Sequence, residues 1–185
     1  MKKQLIHLAA TTCLILVISV QSRAQSTQQV IGSIAIEGAK QGEFTEGGKN
    51  GKSIPIIGFE WNVQTPRDQA TGMASGKRQY SPIVIVKNID VASAQFFQAV
   101  TTNEALKTVV VTLEYADGGK MQTFQTLRLT NAIVVKVSQF EGAGAPGKLM
   151  PNYTPMEEVS ISFQKIEIET NKGKTIASDD WTLMK

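Results

Sequence analysis

From Val30 onward, apolar residues recur at every second position in short runs, and Gly, Asn and Asp separate the runs. A period of two places alternate side chains on opposite faces of a strand, so the pattern commits the chain to β-structure. Ile34 and Ile36 alternate with Ser33, Ala35 and Glu37. Ile57, Phe59, Trp61 and Val63 share one face of the next run, which predicts a buried Trp61. Residues 83–89 are almost continuously apolar, as in a strand covered on both faces. Val109, Val111, Leu113 and Tyr115 line one face of residues 107–116, and Asp117-Gly118-Gly119-Lys120 turns that run back into residues 121–129. Residues 130–140 and 156–169 are two further long strands. In the second, the apolar phase flips from Val159, Ile161 and Phe163 to Ile166 and Ile168, which predicts a bulge near Gln164. Asn171-Lys172-Gly173-Lys174 leads into a last strand ending near Trp181 and Leu183.

Only one stretch has helical spacing. Phe96, Phe97 and Val100 would form the apolar side of a short helix capped by Asp90 or Ser93. About eight strands and one helix place the chain in the mainly-β class. An antiparallel β-barrel or closed two-sheet sandwich with one short α-helix resolves the edges that so many strands create.

The N-terminus has a different character. Lys2 and Lys3 precede an apolar run from Leu5 to Val20, and Ser22-Arg23-Ala24 supplies small residues where a signal peptidase reads. The run is short for a membrane span. These features predict a signal peptide over residues 1–24, cleavage between Ala24 and Gln25, and a single β-barrel domain over residues 25–185. The formal charge of +3 belongs to that signal, which carries Lys2, Lys3 and Arg23 and no acid. The remaining 16 basic and 16 acidic side chains balance, so neither a nucleic-acid footprint nor a membrane surface is expected after cleavage.

His7 and Cys13, the only His and Cys of the chain, also lie in the signal. Without them there is no Ser-His-Asp triad, no Cys nucleophile, no ordinary zinc site and no disulfide. No catalytic residue, metal or cofactor is expected; carboxylate-dependent hydrolysis is the remaining enzymic possibility. Two loops imitate nucleotide sites. Gly142, Gly144 and Gly147 have G-x-G-x-x-G spacing, but prolines follow where a helix N-terminus is needed. Gly47 to Ser53 looks like a P-loop, but its first glycine is displaced and a strand follows. Glu157-Glu158 and Asp179-Asp180 are adjacent carboxylates whose side chains point to opposite strand faces, so the simplest expectation is solvated edge charge. Asn152-Tyr153-Thr154 has the form of a glycosylation sequon but is followed by Pro155. Trp61 and Trp181 are expected to anchor a core or an interface.

Several ordered motifs together resemble the haemolysin-coregulated proteins, the Hcp tube subunits of bacterial type VI secretion. Ile36-Glu37-Gly38 with Gly42, then Ile54, Ile56, Phe59, Trp61 and Val63, is similar to that family's opening. Ile85-Val86-Lys87, Ile89-Asp90, Ala92-Ser93, Phe96-Phe97 and Ala99 resemble its strand-to-helix segment. Leu129, Asn131 to Val134, Glu158 to Ser160, Phe163 and Lys165 to Glu167 resemble its late strands. The resemblance covers residues 30–170. It implies a two-sheet barrel with a helix at one side and a protruding loop after the first strand. It also implies six-membered rings that stack into a tube, driven out by a contractile sheath with spike and effector proteins, the lumen able to carry small effectors. Residues 38–53 become the candidate inter-subunit loop, with Gly38, Gly42, Glu43, Phe44, Glu46, Lys49, Asn50 and Lys52 as its contact residues. The export signal departs from the family, whose subunits assemble in the cytoplasm. The expected location is therefore periplasmic or secreted, with cytoplasmic assembly followed by type VI export as the alternative. The alternative function is an exported barrel working as a periplasmic or surface binding protein outside a secretion machine.

Overall fold

The computed structural model describes residues 29–47, 51–140 and 155–183. Thirteen strand segments and one α-helix lie within them. Eleven strands form one antiparallel sheet: β1 (Gly32–Gly38), β2 (Gly42–Glu43), β3 (Ile54–Ile56), β4 (Gly58–Glu60), β7 (Ile83–Asn88), β8 (Ala105–Asp117), β9 (Lys120–Thr130), β10 (Ala132–Phe140), β11 (Met156–Ser162), β12 (Lys165–Thr170) and β13 (Thr175–Asp180). β5 (Val63–Gln64) and β6 (Gln79–Tyr80) make a separate two-stranded ribbon.

The large sheet curls on itself. β8 pairs with β1 and β1 with β3, while β4 pairs with β7, β7 with β11, β11 with β10 and β10 with β8. The circuit closes through Ile57, the one residue between β3 and β4, whose N–H donates to Val86 O at 2.8 Å. β9, β12 and β13 extend the sheet beyond β8. Ile34, Ile36, Ile54, Ile56, Ile83, Ile85, Val109, Val111, Leu127, Val159 and Ile161 point into the enclosed space and are buried. The antiparallel barrel expected from alternation is thus present, with more and shorter strands.

Local chemistry explains the corners. Gly118 and Gly119 have φ of 56° and 79°, the two positive values that a two-residue hairpin between β8 and β9 requires. The phase flip after Phe163 is a full corner: β11 pairs with β10 and β7, whereas β12 pairs with β9 and β13. Asn131, in the left-handed region at φ 51°, turns β9 into β10 at the same place, and its side-chain amide donates to Gln164 at 2.7 Å.

Helix α1 (Ala92–Thr102) starts after Val91, which has no side-chain cap bond; Asp90 and Ser93, the suggested caps, instead brace the turn on either side of it. The Asp90 carboxylate accepts from Ala92 N–H at 2.8 Å, and the Ser93 hydroxyl accepts from Asp90 N–H at 3.0 Å. The helix buries Ala92, Ser93, Phe96 and Ala99. Phe97 is 63% exposed, so it belongs to the outer surface and not to the apolar side anticipated for it. Two other expectations are corrected by the bends. The run from Ile54 to Val63 changes partner at Ile57, so its apolar phase shifts, leaving Trp61 half-buried and Val63 exposed. A register shift between Leu113 and Glu114 likewise leaves Tyr115 exposed, paired edge-on with Phe124.

Candidate assembly surface

The segment following β1 is the candidate contact loop, and its described residues fold back onto the barrel. β2 returns antiparallel to β1, with Glu43 opposite Glu37 and Gly42 opposite Gly38. Phe44, the only large apolar side chain of the loop, is completely buried. Its ring meets Phe96 of α1 edge-on at 5.3 Å. Phe44, named above as a contact residue of the loop, is therefore a core residue that anchors the loop's first half to α1.

Glu104, just past the C-terminus of α1, holds the turn between β1 and β2. Its carboxylate accepts from Lys40 N–H at 2.6 Å, Gln41 N–H at 2.9 Å and the Gln41 side-chain amide at 2.8 Å. Burial pushes this carboxyl up, but the Gln41 and Lys40 donors more than offset that and hold it below its ordinary value. Gly38 is fitted to the same contact, since a β-carbon there would stand 2.5 Å from the Glu104 carboxylate. Gln95 of α1 ties the next stretch, accepting from Thr45 N–H at 3.0 Å and donating to Glu43 O at 3.3 Å. Thr45 Oγ1 and Glu46 N–H both donate to Gly51 O. On the outside, Glu43 and Lys52 form an exposed ion pair. Among the loop's named residues, the structure brings Gly38, Gly42, Glu43, Phe44, Glu46 and Lys52 together beside α1. Lys49 and Asn50 lie outside the described residues, as do Ala24 and Gln25.

Beside this loop, α1 and β10 flank an open groove of about 800 Å³. Ala94, Phe97, Val100 and Val137 supply apolar wall, and Asp90 and Lys136 stand at its rim.

The adjacent carboxylates divide as strand geometry demands, but they are not simple edge charge. Glu158 faces outward and pairs with Lys136 at 2.7 Å. Glu157 is fully buried and pairs at 2.9 Å with Lys87, itself fully buried. Ser93 donates to the same Glu157 oxygen at 2.8 Å, Gln139 donates to the other at 3.1 Å, and Asp90 reaches Lys87 at 2.8 Å. The cluster pins the start of α1 to β7 and β11. Its sequence signal was present: Lys87 shares strand parity with Ile83 and Ile85, and Glu157 with Val159 and Ile161. Asp179 is likewise engaged, accepting from Arg78 and from the Tyr80 hydroxyl. Each of these groups is consumed by a structural partner, and among the described residues no three His, Cys, Asp or Glu side chains are placed to hold a metal ion. The Gly142 to Gly147 loop and the Asn152 sequon fall outside the described residues.

Residues 32–169 match the family model described as "Type VI secretion system effector, Hcp". The chain is 29% identical over 162 residues to the "Major exported protein" of Pseudomonas aeruginosa strain PAO1, covering 80% of this chain and 93% of that relative. A crystal structure of an Hcp protein superposes with a TM-score of 0.71 at 27% identity, covering 81% of this chain and 98% of the other. The secreted protein Hcp3 from Pseudomonas aeruginosa gives 0.65 at 25% identity, covering 83% and 99%.

Proposed function

Because the chain belongs to the Hcp family of type VI secretion proteins, we propose that it is a structural tube subunit whose copies close into six-membered rings and stack. Its role is to form and line a conduit and to carry effector proteins, with no chemical step of its own. The observation that carries this reading is the extent of the likeness: 98% of an Hcp chain is covered by the barrel, helix and post-β1 segment together. The balanced charge of residues 25–185 supports it, since little net charge opposes packing identical subunits side by side. Glu43, Glu46 and Lys52, on the outer side of the anchored loop, are proposed to meet a neighbouring subunit, with Gly38, Gly42 and Phe44 setting the loop's shape from within. Lys49 and Asn50 complete that proposed contact set. Spike, sheath and effector proteins are the proposed partners beyond self.

Residues 1–24 are proposed to direct export and to be removed between Ala24 and Gln25. N-terminal sequencing of protein recovered outside the cytoplasm should begin at Gln25, and recovery of functional protein retaining Met1 to Lys3 would refute it. For the ring, light scattering on residues 25–185 should return about six times the subunit mass at micromolar to millimolar concentration. A strictly monomeric protein across that range would remove the tube reading and leave an isolated exported barrel.

A further inference from the structure

At the corner where β11 passes into β12, a pocket of about 360 Å³ opens between the β5–β6 ribbon and the single 3-10 turn Trp181–Leu183. Such a volume lies at the small end of the range for small-molecule sites, roughly 300–1,000 Å³. Its lining is Arg78, Gln79, Tyr80, Ser162, Phe163 and Trp181. Three aromatic rings in so small a space are uncommon in a chain that is 6% aromatic.

The walls are held in place. Tyr80 and Phe163 meet edge-on at 5.6 Å. Trp181 is 43% exposed, yet its indole N–H donates to Phe163 O, which fixes the ring as a platform. Arg78 donates to Asp179 Oδ1 at 2.7 Å and to Asp180 O at 3.0 Å, and the Tyr80 hydroxyl donates to Asp179. Burial raises the Tyr80 phenol further above its ordinary value, with the Asp179 carboxylate adding to it, so the hydroxyl stays protonated. Hydrogen-bonding capacity is left over. The Ser162 hydroxyl and Arg78 Nη1 make no hydrogen bond among the described residues, whereas the exposed Gln79 side chain leaves the opposite face of the ribbon from Tyr80 and accepts from Gln64.

The chemistry selects a ligand class. Asp179 already neutralises Arg78, so a carboxylate or phosphate gains no net charge here. A purely apolar ligand would bury Ser162 and the Arg78 edge without partners. A neutral pyranose meets both demands: its C–H face lies against the aromatic faces, and its hydroxyls take up the spare donors and acceptor. We propose that this corner pocket is a binding site for a neutral hexose unit, stacked on Trp181 and hydrogen-bonded by Ser162 and Arg78.

The test uses residues 25–185 carrying Trp61→Phe, which makes Trp181 the sole tryptophan. Its fluorescence would be followed while glucose, galactose, mannose or N-acetylglucosamine is added to about 50 mM, the range suited to a weak single-sugar site. A saturable change with at least one sugar, weakened about tenfold by Ser162→Ala with unaltered circular dichroism, is the expected result. No saturable change with any of the four sugars would overturn the assignment. So would an equal response to sodium phosphate or to phenol, which would mark an anion site or an unselective apolar pocket. A sugar response unaffected by Ser162→Ala would place the binding elsewhere and overturn it too.

Discussion

Glu104 and the Lys87–Glu157 pair are single residues on which whole contacts depend. Truncating Glu104→Ala removes a buried carboxylate that accepts from the Lys40 and Gln41 backbone N–H groups, which should cost about 1–3 kcal/mol in chemical denaturation. Its titration has a definite sign. The folded carboxyl sits below the ordinary value of 4.5, so the unfolded chain binds the proton more readily. The stabilisation is complete above that ordinary value and is lost as pH falls through the lower folded value. A Glu104→Gln variant should therefore show a shallower loss of stability on acidification below about pH 4.5, measured by thermal melts. For the buried pair, Glu157→Leu leaves the Lys87 ammonium with Asp90 as its remaining carboxylate partner and should cost up to about 3–5 kcal/mol, whereas adding Lys87→Met should recover part of that. A double-mutant cycle in urea gives the coupling directly. A Lys and a Glu on the apolar parity of two strands were legible as inward-facing. That they face each other was not, because pairing of β7 with β11 brings together residues 70 positions apart in the chain.

Elements with a local cause were legible and those with a distant cause were not. The β8–β9 hairpin follows from its own turn residues, and α1 from its own spacing and from Asp90 and Ser93 at its start. The break at Ile57 has no turn residue that demands a change of partner; it occurs because β1 lies on one side of the chain and β7 on the other. The same holds for the segment after β1, where a lone Phe44 among polar residues was the one sign of anchoring. Phe44→Ala should cost about 3–5 kcal/mol, as large buried aromatics do. Trp61→Ala, at a half-buried position, should cost less, about 1–3 kcal/mol, and urea midpoints of the two variants give the order. Deleting residues 43–50 should then destabilise the domain, because it removes Phe44 with the loop. Charge reversal at Glu43, Glu46 and Lys52 is the cleaner probe of assembly, expected to lower ring mass in light scattering while circular dichroism stays unchanged.

At the scale of the molecule, the mainly-β class was visible in the period of two, whereas thirteen strand segments stand where about eight were expected. Closure was expected from the need to resolve strand edges, but its place was not, since it depends on one residue joining two ladders. That seam has a mechanical meaning. Every other join around the hoop is a row of hydrogen bonds that can slide or peel, but between β3 and β4 the hoop is stitched by the backbone itself. Under load the hoop cannot part at Ile57 without covalent scission, so tension passes to the short three-pair ladders on either side, β1–β3 and β4–β7. A single proteolytic nick there would turn the hoop into an open ribbon with two bare margins, prone to pair with any chain it meets.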